Sequence, residues 1–213
     1  MSLQILGVVL AAITGLLAPP ADIRGSQSPE AYAAFVQQQV TLDRARIAGA
    51  GCRSLVFQEI ARNRTGANNI PPDIVAASAT GDVIIEHVRV TGCGRVSRHN
   101  LMIYRGRSGG WTAVALVPGA SLASPVLQRD SYSAAVRAVI QLSPDAPCPR
   151  GSDITQRLRF GEIVLVSAPR GGVWVERIPL RYCGLDRSMQ VTYTLTPDGG
   201  ADYALRPLFP MNR

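Results

Sequence analysis

The chain has 213 residues, room for one or two ordinary domains, and its 46% hydrophobic and 17% charged content builds a core and excludes disorder by composition. All 22 of its basic residues are arginine, which leaves a formal net charge of +7. The absence of lysine excludes Schiff-base catalysis, Walker-type phosphate loops and kinase chemistry, and a GC-rich coding sequence accounts for the bias itself. With 20 glycines, 15 prolines and only 6% aromatics, the composition leans toward turn-rich β structure.

The first expected element is a leader. Residues 5–18 are an apolar run of 14, shorter than the roughly 20 that a bilayer span needs and suited to a signal-peptide core. Residues 1–4 carry no arginine, and Pro19-Pro20-Ala21 is an imperfect cleavage site. Residues 1–25 are therefore assigned to a signal peptide or an uncleaved N-terminal anchor, and membrane contact is expected only through them if they are retained.

Shifting the sequence against itself by 90 positions overlays residues 81–110 on 171–200 with seven identities. The matches are glycines, cysteines, Val83 with Val173, and Glu86 with Glu176, the residues a shared fold retains. Beyond them, a one-residue slip brings Ala115 onto Ala204. Each copy opens with a helical pattern. Ser28-Pro29-Glu30 reads as a cap, an N1 proline and an acid at the positive helix end. Tyr32, Phe35, Val36 and Val40 then mark one face, and Tyr132, Ala135, Val136, Val139 and Ile140 repeat it in the second copy. Strands are expected over 157–167, 173–182, 189–196 and 203–205, with hairpin turns at 168–171 and 197–200. The first copy shows the last three of these, while Pro71-Pro72 blurs its first. Alternation puts Ile84, Val88 and Val90, like Trp174, Ile178 and Leu180, in the core. It turns His87, Arg89 and Thr91, like Arg177, Pro179 and Arg181, outward. The expected fold is α+β: two tandem copies of a helix followed by a three- to four-stranded antiparallel meander, over 26–118 and 130–213, with a linker at 119–129.

Four cysteines, Cys52, Cys93, Cys148 and Cys183, suit an exported chain, and four allow three connectivities. The repeat gives each copy one cysteine after its helix and one at a strand end, so the expected bonds are Cys52–Cys93 and Cys148–Cys183. No Cys-x-x-Cys pair exists and there are only two histidines, so no metal site is assigned.

Trp174, Glu176, Cys183-Gly184, Val191, Tyr193 and Asp198-Gly199-Gly200 form a pattern that resembles uncharacterised secreted proteins of proteobacteria. It covers about 40 residues of each copy. The resemblance implies a periplasmic home and no particular activity.

No catalytic residue and no cofactor is assigned. His87 and His99 have Arg177 and Met189 at their places in the other copy, and a lone histidine on a strand's polar face is ordinarily a solvated side chain. Glu86 and Glu176 sit on the otherwise apolar face, where partnership with arginine competes with a role as a glycosidase-type acid pair. Asp198 and Asp202 flank a Gly-Gly turn, and two acids fall far short of the oxygens calcium requires. The positive charge directs the chain to anionic neighbours: polysaccharide, lipopolysaccharide, a membrane surface or an envelope protein. Nucleic acid is disfavoured by compartment and by the lack of interleaved aromatics. If strands 157–167 and 173–182 pair, Arg157, Arg159, Arg177 and Arg181 share one solvated face, whose planar guanidinium forks suit phosphate and carboxylate groups. Two readings follow. One is a non-catalytic periplasmic or secreted module binding an anionic envelope polymer or a protein partner, and the alternative is a periplasmic hydrolase with an unrecognised carboxylate site.

Overall fold

The computed structural model describes residues 28–48, 54–64, 69–148 and 157–209. Ser28 caps the first helix by accepting a hydrogen bond from the Ala31 amide at 3.3 Å, and Pro29 starts the helix where its missing N–H costs nothing. After this helix, α1 (Pro29–Ala48), come β1 (Val56–Arg64), a short helix α2 (Pro72–Ala77), β2 (Ser78–Gly92), β3 (Arg95–Gly106) and β4 (Trp111–Ala115). These strands form one antiparallel sheet in the order β1-β2-β3-β4. Helix α3 (Pro125–Gln141), capped by Ser124, precedes β5 (Leu158–Phe160), β6 (Val164–Arg170), β7 (Val173–Tyr182), β8 (Leu185–Leu195) and β9 (Ala201–Pro207). In the second sheet the order is β5-β7-β8-β9, and β6 pairs with the other half of β7. The class is α+β with two antiparallel sheets.

Each long helix closes the inner face of one sheet. Tyr32, Val36 and Val40 of α1 pack with Ile84, Val88, Val90, Leu101 and Ile103, and all are buried. Trp174, Ile178 and Leu180 face inward in the second sheet as the alternation predicts, with Trp174 stacked on Tyr193 at 4.8 Å. The outer face of the first sheet is also buried in part: Val83, Ile85, Met102 and Tyr104 pack with Ile70 and Ile74. Pro72 thus starts a helix that covers this face, and the first strand of the sheet lies earlier, at 56–64.

The two sheets share their registers. Val88 faces His99 and Ile178 faces Met189; Leu101 faces Ala115 and Val191 faces Leu205. Each pair recurs 90 positions on, so the slip expected at Ala115 does not occur. The connecting turns agree as well, with positive φ at Cys93-Gly94 (51° and 70°) and at Cys183-Gly184 (49° and 85°). That conformation matches the right-handed twist of the flanking strands.

Two local expectations are corrected. The strand expected over 157–167 breaks in two. A Cβ on Gly161 would meet Pro179 Cβ at 2.8 Å, and Ile163 bridges to Gly119 instead of continuing the ladder. The break resets the alternation, so Arg159 points to solvent while Ile163 is buried, although both occupy odd positions of the same run. A register shift between Glu59 and Ala61 marks the corresponding place in β1. On α3 the stripe also turns: Ala135 and Val139 are buried, whereas Tyr132, Val136 and Ile140 are only half-buried.

Cys148 and Cys183 form a disulfide across a Cα separation of 4.8 Å, which ties the segment after α3 to the β7–β8 turn. A stable disulfide suggests a non-cytoplasmic environment. No helix among the described residues is long and apolar enough to cross a membrane. Cys52 and residues 1–25 lie outside the described residues, and with them the expected Cys52–Cys93 pairing and the expected leader. The Cys148–Cys183 bond spans 35 residues, for which loop-closure entropy gives about 3–4 kcal/mol. Replacing both cysteines with alanine is expected to lower the unfolding free energy by that amount, as measured by urea denaturation.

Candidate functional site

The outward face of the second sheet carries the arginines singled out from the sequence. Arg159 in β5 stands directly opposite Arg181 in β7, and Arg177 lies four residues back along the same face of β7. Arg159, Arg177 and Arg181 are exposed and Arg157 is half-buried. Arg206 of β9 joins them, its Nη2 donating to Gln190 Oε1 at 2.8 Å, and Gln190 in turn faces Arg177. Strand spacing of about 4.8 Å and a rise of about 3.3 Å per residue confine these groups to a patch on the order of 15 Å across. Two acids share the face: Asp186, 3.6 Å from Arg181, and Asp202 toward the far end. Positive charge therefore dominates.

The carboxylates on the inner faces belong elsewhere. Glu86 and Glu176 are both fully buried, one in each core. The Tyr32 hydroxyl donates to Glu86 at 2.5 Å. Glu176 accepts from Trp174 Nε1 at 3.0 Å, Ser121 Oγ at 2.8 Å and the Leu122 amide at 2.7 Å. The arginine partner expected for Glu176 is thus replaced by three neutral donors, two of them from the segment that joins the sheets. Three donors on one carboxylate offset the cost of burying its charge.

His99 is not solvated, contrary to expectation, but fully buried. Its Nδ1 meets Asp43 Oδ2 of α1 at 2.6 Å and its Nε2 meets Ser97 Oγ at 3.0 Å. The chain Asp43–His99–Ser97 has the order of a nucleophile relay. Its central member His99 is fully buried beneath α1, while Ser97 at one end is half-buried. It fastens α1 to β3. Asp43 carried no signal in the sequence, because its partner is 56 residues away and the position 90 residues beyond His99 holds Met189.

Between the sheets, residues 116–122 form a seam. The Gly119 amide donates to Arg98 O at 2.9 Å, the Ile163 amide to Pro118 O at 2.7 Å, and the Ala120 amide to Ile163 O at 2.9 Å. Asn100 Nδ2 donates to the carbonyls of Val117 and Gly119 at 2.7 and 3.0 Å, and the Arg98 amide reaches Glu162 Oε2 at 3.2 Å. Beside this seam opens a cleft of about 330 Å3, walled by both halves of the chain. Among the described residues, no group of three His, Cys, Asp or Glu side chains is placed to hold a metal. Asp198 accepts from Thr196 Oγ1 and the Gly200 amide and so closes its hairpin turn. Comparison with protein-family models, curated proteins and solved structures yields no match.

His87 anchors the seam from behind. With Asn100 donating through Nδ2, its Oδ1 is left to accept from His87 Nδ1 at 2.6 Å. Burial pushes the His87 pKa below its ordinary value, and the Arg98 charge pushes the same way, against Asn100 and Glu86. The unfolded chain therefore binds this proton more readily than the folded one. The His87 contribution to stability is complete above a pH of about 6.5 and is lost as pH falls through the lower folded value. The melting temperature is expected to fall between about pH 7 and pH 5, and His87→Gln is expected to flatten that part of the fall. Thermal melts of both proteins across this range check it.

Proposed function

We propose that the protein is a non-catalytic, exported module of two duplicated units that binds an anionic envelope polymer through the outer face of its second sheet. The observation that carries this reading is the cross-strand pair Arg159–Arg181 with Arg177 and Arg206 on the same exposed surface. Repeated phosphates or carboxylates, as in lipopolysaccharide or an acidic polysaccharide, present bidentate acceptors at spacings such a ladder matches. The first unit has only His87 and Arg89 at the equivalent β2 positions, and helix α2 covers part of that face. Binding is therefore assigned to one unit of the pair, and the shared registers support descent of both units from one. A periplasmic or secreted location agrees with the Cys148–Cys183 bond and with the apolar residues 5–18. A hydrolase built on paired carboxylates has less support, since Glu86 and Glu176 lie in separate cores and are consumed by hydrogen bonds.

Binding of the protein to lipopolysaccharide, heparin and anionic vesicles across a salt series tests this. Changing Arg157, Arg159, Arg177 and Arg181 together to serine is expected to weaken binding by about 1 kcal/mol per arginine at low salt and to flatten the salt dependence. Changing Arg89, Arg95, Arg107 and Arg137, which are exposed elsewhere, is expected to cost far less. Equal losses from the two sets would reduce the attraction to diffuse charge.

A further inference from the structure

The face that carries the arginines also carries exposed valines. β5 and β6 lie end to end along the same side of β7, so together they form one border of the second sheet. On β7 the outward positions run Val173, Val175, Arg177, Pro179 and Arg181. Val164 of β6 stands directly opposite Arg177, and Arg170 opposite Val173. Val164, Val166 and Val173 are 40%, 57% and 37% exposed. Val166, Ala168 and Val173 line one open hollow with Ser167 and Arg170. Apolar side chains scattered singly over a surface are ordinary, but these are grouped and flanked by charge. Arg177 lies beside them, Arg170 at the hairpin end, and Arg159 and Arg181 toward the other end of β7.

This arrangement narrows the kind of partner. A soluble polyanion satisfies the guanidiniums and leaves the valines in water. An added protein strand is poorly received, because β6 is interrupted by Pro169 and by register shifts between Leu165 and Ser167 and between Ser167 and Arg170. Such interruptions break the row of backbone groups that strand addition requires. A lipid leaflet meets both demands and imposes no register. Its phosphates accept from the guanidiniums, and the long arginine stems keep the charged heads at phosphate level while the valines reach the acyl boundary. The neighbouring acids leave the border positive. Glu162 accepts from the Arg98 amide at 3.2 Å, Asp186 sits 3.6 Å from Arg181, and Asp202 stands on β9 at the opposite border of the sheet.

We infer that the β5–β6 border of this face docks on an anionic phospholipid leaflet, with Val164, Val166 and Val173 at the acyl boundary and Arg159, Arg170, Arg177 and Arg181 on the phosphates. The inference rests on the assignment of anion binding to this face, and it names the lipid that bears the anion.

The experiment measures binding of the full chain to phosphatidylglycerol vesicles, phosphatidylcholine vesicles and heparin. Wild-type protein is expected to prefer phosphatidylglycerol to phosphatidylcholine by at least about tenfold. Changing Val164 and Val166 together to serine is expected to weaken phosphatidylglycerol binding about tenfold through lost apolar contact. Heparin affinity, which needs only the arginines and an intact face, is expected to stay unchanged. Both proteins share residues 5–18, so the difference between them reports this face alone. In Val166→Trp the introduced tryptophan is expected to shift to the blue on phosphatidylglycerol vesicles and to be quenched by brominated lipid, and to do neither with heparin. Wild-type vesicle affinity in the double serine variant, equal losses on heparin and vesicles, absence of quenching, or equal binding to the two vesicle types would overturn the inference. So would self-association of the lipid-free protein that the two serines abolish, because a second copy would then cover the valines. Failure of the arginine assignment reads differently: heparin binding would survive the change of Arg157, Arg159, Arg177 and Arg181 to serine.

Discussion

The conformation of Gly119 is the constraint on which the arrangement depends. Its φ of +100° lies in the region that favours glycine, and a Cβ there would sit 2.3 Å from Ile163 O and 2.4 Å from Ile163 N. Only a residue without a side chain lets the 116–122 segment run against the break between β5 and β6. That contact supplies the hydrogen bonds from Ile163 to Pro118 and from Ala120 to Ile163. The break in the second sheet and the seam are one feature seen from two sides. Ile163 leaves the ladder with β7, and its backbone groups find partners on the connecting segment.

Three further groups brace this contact from both cores. Glu176, buried beside Trp174, holds Ser121 and Leu122 to the second unit. Asn100, held by His87, grips Val117 and Gly119 from the first. Glu162 accepts from the Arg98 amide and closes the far side. Buried polar networks of this kind are costly when half satisfied and specify one geometry when complete. Because the segment is braced at both ends, the arginine face is left on the outside of the second sheet, and the apolar cleft is held open between α3 and the edge of β4.

Much of this was legible in the sequence, and the unread parts share a cause. The inward set Ile84, Val88, Val90, Trp174, Ile178 and Leu180 and the Cys148–Cys183 bond depend on local periodicity and on like residues at like positions. Such signals survive in a linear pattern. The seam does not, because Gly119 and Ile163 are unremarkable in their own neighbourhoods and matter only to one another. Residues 119–129 read as a linker, and nothing in the run 157–167 announces a change of phase at Gly161. The same holds for Asp43 and His99, joined across 56 positions, and for Tyr132, which a helical stripe drawn one residue off places in the core. Each error is a long-range contact overriding a local preference, and the errors cluster where the two halves meet.

Calorimetric unfolding of Gly119→Ala tests the role of the seam most directly. Wild-type protein is expected to unfold in one cooperative transition, since both cores are bound to the 116–122 segment. The Cβ in Gly119→Ala, forced against the Ile163 backbone, is expected to lower the melting temperature and to separate the transition into two. A single transition in the variant at the wild-type temperature would contradict the account, for the two halves would then be held together by something other than this contact.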